Sequence, residues 1–211
     1  MQLIGMLDSP YVRRVAIALH YASIPFDHNP LSVFRNIDEF TQINPLVKAP
    51  TLVCDDGEVL MDSTLILAYI QQLGKGQPCL MPSKLTDYQR ALRLIGLGLN
   101  ACDKSVQIVY ERELRPAEKQ HQPWRDRIQT QLFAAYDLLE LYAAARDGWF
   151  VGKSMSDADI TVAVAWQFTQ HYLEDVVDRQ RYPALTAFSA YAEASPAFLA
   201  VPIEDGWKPK L

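Results

Sequence analysis

Cysteine is scarce and unpatterned in this chain: Cys54, Cys79 and Cys102 form no C-x-x-C pair, and no histidine pair stands at metal-ligand spacing. An odd, scattered set of thiols excludes a disulfide framework and a zinc ribbon, so no metal is expected. Positive charge is not in excess either. With 20 Lys+Arg against 25 Asp+Glu the net charge is −5, which argues against nucleic acid or an anionic membrane surface as the main partner. No apolar run approaches the roughly 18 residues of a membrane span. The opening MQLIGMLDS has no basic segment, and its apolar run stops before Asp8, so it does not read as a signal peptide. Thiols that pack as small hydrophobes, without export or anchoring signals, lead to the expectation of a reducing cytoplasm.

What is present is an ordinary globular composition, 49% hydrophobic and 21% charged over 211 residues, enough for one large domain or two small ones. The first eighty residues mix two periods. Residues 2–6 read as a short buried strand, and SPYVRRVAIALHYA carries Val12, Val15, Ala16 and Leu19 at helical spacing. A second strand fits after Pro25, and a short helix stops at Asn44-Pro45. TLVC-DDG-EVLM is a hairpin around an Asp-Gly turn. A helix that Ser63 can cap follows, ending at Gly74. The expected order is β-α-β-α-β-β-α.

Residues 74–84 concentrate Gly, Pro and Ser, and hardly a β-rich run follows them. The expected domains are 1–76 and 85–211, joined by a linker at 77–84. The second holds a long helix over 85–114, others beginning at Pro123, Ser156 and after Tyr182-Pro183, and an irregular tail from Pro202.

Four segments carry chemical meaning. Ser9 in SPYVRR stands where the first strand feeds the first helix; it is either a plain N-cap or a group placed where the helix macrodipole favours an anion. Pro50 in NPLVKAPTLV opens a strand; it is either an ordinary loop proline or, if the Ala49–Pro50 bond is cis, a device that leaves the backbone of Lys48 and Ala49 free to pair with a ligand. Asp62 and Ser63 precede a helix; they form either a simple cap or a site for a carboxylate and an ammonium, the two charges of an α-amino acid head group. Ser156 and Asp159 are spaced as a capping box, with Met155 and Ile160 as its hydrophobic staple, a structural element.

In order and spacing these segments resemble the cytosolic glutathione transferase superfamily along essentially the whole chain, with position 9 in the serine form of theta- and zeta-like members. The resemblance implies an α/β thioredoxin-like N-terminal domain plus an all-α C-terminal helical bundle. It implies glutathione as co-substrate, with Ser9 activating its thiol and Ala49, next to Pro50, pairing with the cysteinyl backbone. Asp62 and Ser63 would hold the γ-glutamyl ammonium and carboxylate, and Lys48 would stand at the glycyl end. Ala49 replaces the usual valine, and Asp62 the more usual Glu or Gln. Tyr11, Val106, Tyr110 and Trp166 are the candidates for a hydrophobic electrophile pocket, the three helical residues being alternatively plain core. Arg13 and Arg14 are expected in ion pairs or dimer contacts. Arg13, Arg112 and Arg115 leave open a dicarboxylate pocket of the zeta isomerase type. The resemblance further implies a homodimer, with residues around 85–110 carrying most of its interface.

Overall fold

The computed structural model describes residues 1–74 and 79–203. The expected linker begins on residues 77 and 78, outside this range, and the tail leaves it after Ile203. The chain divides into two compact units, one of Met1–Leu80 with the tail from Ser195, the other of Met81–Ala194.

The N-terminal unit contains β1 (Gln2–Ile4), α1 (Pro10–Tyr21), β2 (Asp27–Asn29), α2 (Ile37–Ile43), β3 (Thr51–Val53), β4 (Val59–Met61) and α3 (Ser63–Leu73), in the expected order. Its sheet runs β2-β1-β3-β4, with β1 parallel to β2 and antiparallel to β3, and β3 antiparallel to β4. The two central strands are the buried ones: Leu3, Ile4 and Leu52 are inaccessible. Helix α1 is capped by Ser9, starts on Pro10 and is buried continuously from Val12 to Leu19, the pattern of a helix enclosed by its own unit. Helix α2 is anchored by Phe40, which packs with Ile4 and Leu31.

The helical region is expected to run to the chain's end, yet the segment from Ser195, including the short α8 (Pro196–Leu199), groups with the N-terminal unit. The physical reason is Arg13. It is 1% exposed, donates from Nε to the Val201 carbonyl at 2.9 Å, and lies over the Phe198 ring at 5.5 Å. A buried guanidinium needs such acceptors and such a face.

The helical unit comprises α4 (Leu85–Glu113), α5 (Gln122–Ala144), α6 (Asp157–Tyr172) and α7 (Pro183–Glu193), with short 3₁₀ turns at Ala117–Lys119 and Arg179–Arg181. Helix α6 is its centre, buried on every side from Asp157 to Trp166. Gly98 lets α4 approach it, since a Cβ there would stand 2.9 Å from Thr161 Cγ2. A buried hydroxyl chain ties three helices: Ser105 of α4 meets Thr169 of α6 at 2.7 Å, and Thr169 meets the Tyr136 hydroxyl of α5.

The start of α6 is held by the expected capping box. Asp159, fully buried, accepts from Ser156 N at 2.8 Å, Ser156 Oγ at 2.6 Å and Phe150 N at 2.8 Å. Burial pushes its carboxyl above the usual range against the pull of these bonds. Met155 and Ile160, the staple pair, are both buried. Asp159→Ala leaves two amides without an acceptor, so a loss of about 3 kcal/mol is expected in urea denaturation. A loss under about 1 kcal/mol would show that the box is dispensable.

Candidate functional site

Backbone pairing brings the candidate segments of the N-terminal unit together. Ile4, the last residue of β1, pairs with Thr51, the first of β3, and Thr51 pairs with Met61, the last of β4. The chain leaving β1 toward Ser9, the chain entering β3 through Lys48, Ala49 and Pro50, and the chain leaving β4 through Asp62 therefore share one end of the sheet.

The first of these turns depends on Gly5, whose φ is +133°. A Cβ there would lie 2.6 Å from Val12 Cγ2 and 3.1 Å from Ala49 Cβ, so only glycine lets the turn pass this close to both. The Gly5 carbonyl meets His28 Nε2 at 2.8 Å. Ser9 is partly buried, and its Oγ accepts from Val12 N at 3.4 Å. As a cap the oxygen accepts, which leaves the hydroxyl hydrogen to donate elsewhere.

The Ala49–Pro50 bond is cis. Two buried side chains clamp the loop before it: Asn44 Nδ2 donates to Thr51 Oγ1 at 2.8 Å, and Thr51 Oγ1 donates to the Lys48 carbonyl at 2.6 Å. Neither Ala49 N–H nor its carbonyl bonds another backbone group among the described residues. Lys48 is exposed beside it.

At the third turn the structure corrects the expected cap. Asp62, not Ser63, is the N-cap of α3: its Oδ1 accepts from Thr64 N at 2.8 Å, at a left-handed φ of +69°. Ser63 is the first residue of the helix and 4% exposed. Its Oγ accepts from Arg14 Nη1 at 3.1 Å, as does Thr64 Oγ1, also at 3.1 Å. Arg13 and Arg14, each 1% exposed, are thus interior residues and not dimer contacts. Sequence reasoning passed over Thr64 and this link because nothing in helical spacing says that α1 meets the start of α3. The doublet of arginines in an otherwise apolar helix was the available signal.

The pocket candidates are distributed over both units. Tyr11 is partly buried at the start of α1. Val106 and Tyr110 lie one turn apart on α4, the first half-buried and the second exposed. Trp166 is in the core of the helical unit, edge-on to Tyr136 and Tyr182 at 5.1 and 5.7 Å, and lines a cleft of 440 Å³ with Gln170, His171, Arg179 and Glu193.

Residues 3–78 match the family pattern of the glutathione S-transferase N-terminal domain, and residues 122–190 that of its C-terminal domain. The chain is 29% identical over 165 residues to the uncharacterized GST-like protein YibF of Escherichia coli, covering 78% of this chain and 80% of that one. It is 25% identical over 194 residues to a probable maleylacetoacetate isomerase of Drosophila melanogaster, covering 89% and 81%. Among solved structures, a glutathione S-transferase of Methylobacterium radiotolerans in complex with glutathione sulfonate superimposes with a TM-score of 0.89 at 26% identity, covering 100% of this chain and 98% of that one. A glutathione transferase family member of Pseudomonas fluorescens with bound glutathione does so at 0.80 and 32%, covering 95% and 97%.

The cap geometry makes its own prediction. Asp62→Ala removes the acceptor for Thr64 N and keeps a Cβ at positive φ, so it should cost about 1–2 kcal/mol of stability. Asp62→Gly should cost less, because glycine adopts that φ freely. Guanidinium titrations of the two variants read the order directly; the reverse order would contradict the strain at this turn.

Proposed function

This chain belongs to the glutathione S-transferase superfamily, and from that premise we propose that it binds glutathione and conjugates its thiolate to small hydrophobic electrophiles. The observation that carries the reading is the shared row Ile4–Thr51–Met61, from which Ser9, Ala49 and Asp62–Ser63 all extend. In this reading the free backbone edge of Ala49 pairs with the cysteinyl unit. Ser63 and the amides of α3 receive the γ-glutamyl carboxylate, Asp62 its ammonium, and Lys48 the glycyl carboxylate.

Ser9 then acts as a donor. Glutathione's thiol is mostly protonated at neutral pH, whereas the thiolate is the nucleophile. Lowering its pKa by about two units takes roughly 2.7 kcal/mol. A hydrogen bond to a charged sulfur, about 1.5–3 kcal/mol, with the positive end of α1 adding up to about 2, covers that requirement. A cysteine here would instead favour mixed-disulfide chemistry; serine favours addition to an electrophile.

A zeta-type isomerase is the second reading, supported by the fly relative. Its dicarboxylate substrate calls for free arginines, and those considered are engaged. Arg13 holds the tail. Arg112 bonds Glu113 at 2.9 Å, both Asp175 oxygens at 3.1 Å and the Tyr172 carbonyl at 2.6 Å. Arg115 pairs with Glu111 at 2.9 Å. These commitments weigh toward conjugation.

Exposed apolar stripes support a homodimer: Leu85, Tyr88 and Leu92 recur on one side of α4, and Met61 and Leu65 are exposed at β4 and α3. Free thiols agree with a cytoplasmic location, and no helix among the described residues is long and apolar enough to cross a membrane.

Ser9→Ala should lower kcat/KM for a chloronitrobenzene electrophile by about 10- to 100-fold and shift the acid limb of its pH profile upward, while calorimetry still shows glutathione binding. Unchanged turnover removes Ser9 from this role, turnover of maleyl-type substrates in place of conjugation favours the isomerase, and no glutathione binding by the wild type favours a non-catalytic role for the fold. Leu92→Glu should shift the protein toward monomer in sedimentation; an unaltered dimer would move the interface off α4.

A further inference from the structure

Arg14 is buried in α1, and one of its nitrogens, Nη1, reaches both Ser63 Oγ and Thr64 Oγ1 at 3.1 Å. A guanidinium can only donate, and a hydroxyl has a single hydrogen to give. With their lone pairs turned to Arg14, the two hydroxyls have their O–H bonds directed away from it. The first amides of α3 and its positive end present the same polarity at that point. Hydrogen bonds in such a chain strengthen one another, and more so when the first donor is charged and shielded from water.

We propose that Arg14 is a positioning residue for the γ-glutamyl carboxylate of glutathione, and that Thr64 is a second hydroxyl contact to that group beside Ser63. The proposal rests on the reading of α3's start as the head-group site. Arg14 does not touch the ligand. It sets the direction of the Ser63 and Thr64 hydroxyls and places a fixed positive charge behind them. The consequence is selective: Arg14 strengthens binding of a ligand that carries a carboxylate at this position and does nothing for one that lacks it.

Calorimetry with two ligands tests this, glutathione and γ-aminobutyryl-cysteinyl-glycine, which lacks only the α-carboxylate. Arg14→Met should weaken glutathione about tenfold or more while changing the analogue by less than about twofold. Thr64→Val should do the same on a smaller scale. If both ligands weaken in parallel, Arg14 is only a tie between α1 and α3 and the proposal is overturned; the same holds if glutathione affinity does not change. Should Arg14→Met fail to fold, Arg14→Lys and Thr64→Val carry the test, since Lys keeps the charge without the fork. A wild type that binds neither ligand overturns the glutathione reading and the proposal with it. A wild type that binds both, with variants losing both equally, overturns the proposal alone.

Discussion

The pairing of Ile4 with Thr51 and of Thr51 with Met61 is the constraint on which the candidate site depends. Side chains alternate along a strand, so a slip of one residue would turn every side chain to the other face of the sheet. It would also take the Thr51 hydroxyl from between Asn44 and the Lys48 carbonyl, where it orders the loop into Pro50. Strands of three residues have few bonds with which to resist such a slip. Burial of Leu3, Ile4 and Leu52 resists it instead, because exposing them would cost several kcal/mol.

From that end of the sheet the polar groups form a graded set. Ser9 accepts from its own helix and has a hydrogen to give. The Ala49 backbone bonds no other backbone group among the described residues, and the start of α3 offers amides and hydroxyls backed by a buried guanidinium. Ser9, Ser63 and Thr64 each accept one hydrogen bond that holds the hydroxyl in place and keep a hydrogen to give. In the proposed reading these groups meet a peptide with a thiol at its centre and an amino acid head at one end.

The helical unit follows a different logic. Its central helix is buried on every side from Asp157 to Trp166, and its position comes from close packing at Gly98 and Thr161 and from the Ser105–Thr169–Tyr136 hydroxyl chain. Asp159 fixes where that helix starts by binding the turn before it. These groups account for the order of the unit and say little about what it binds, since apolar linings are interchangeable.

Patterns of short range were legible in the sequence. The β-α-β-α-β-β-α order, the Asp-Gly hairpin, the long helices and the capping box at Ser156 and Asp159 all arise from contacts within a few residues, which spacing and turn chemistry record. The candidate segments were legible too, because each sits at a strand or helix boundary. What spacing could not supply was any relation between distant residues. That Arg14 reaches Ser63 and Thr64, that Asp62 takes the cap with a left-handed φ, that Arg13 draws the tail from Ser195 onto the N-terminal unit, and that Trp166 belongs to the core were decided by tertiary packing. A buried guanidinium must find acceptors wherever the fold brings them, and nothing local to Arg13 or Arg14 says where that will be.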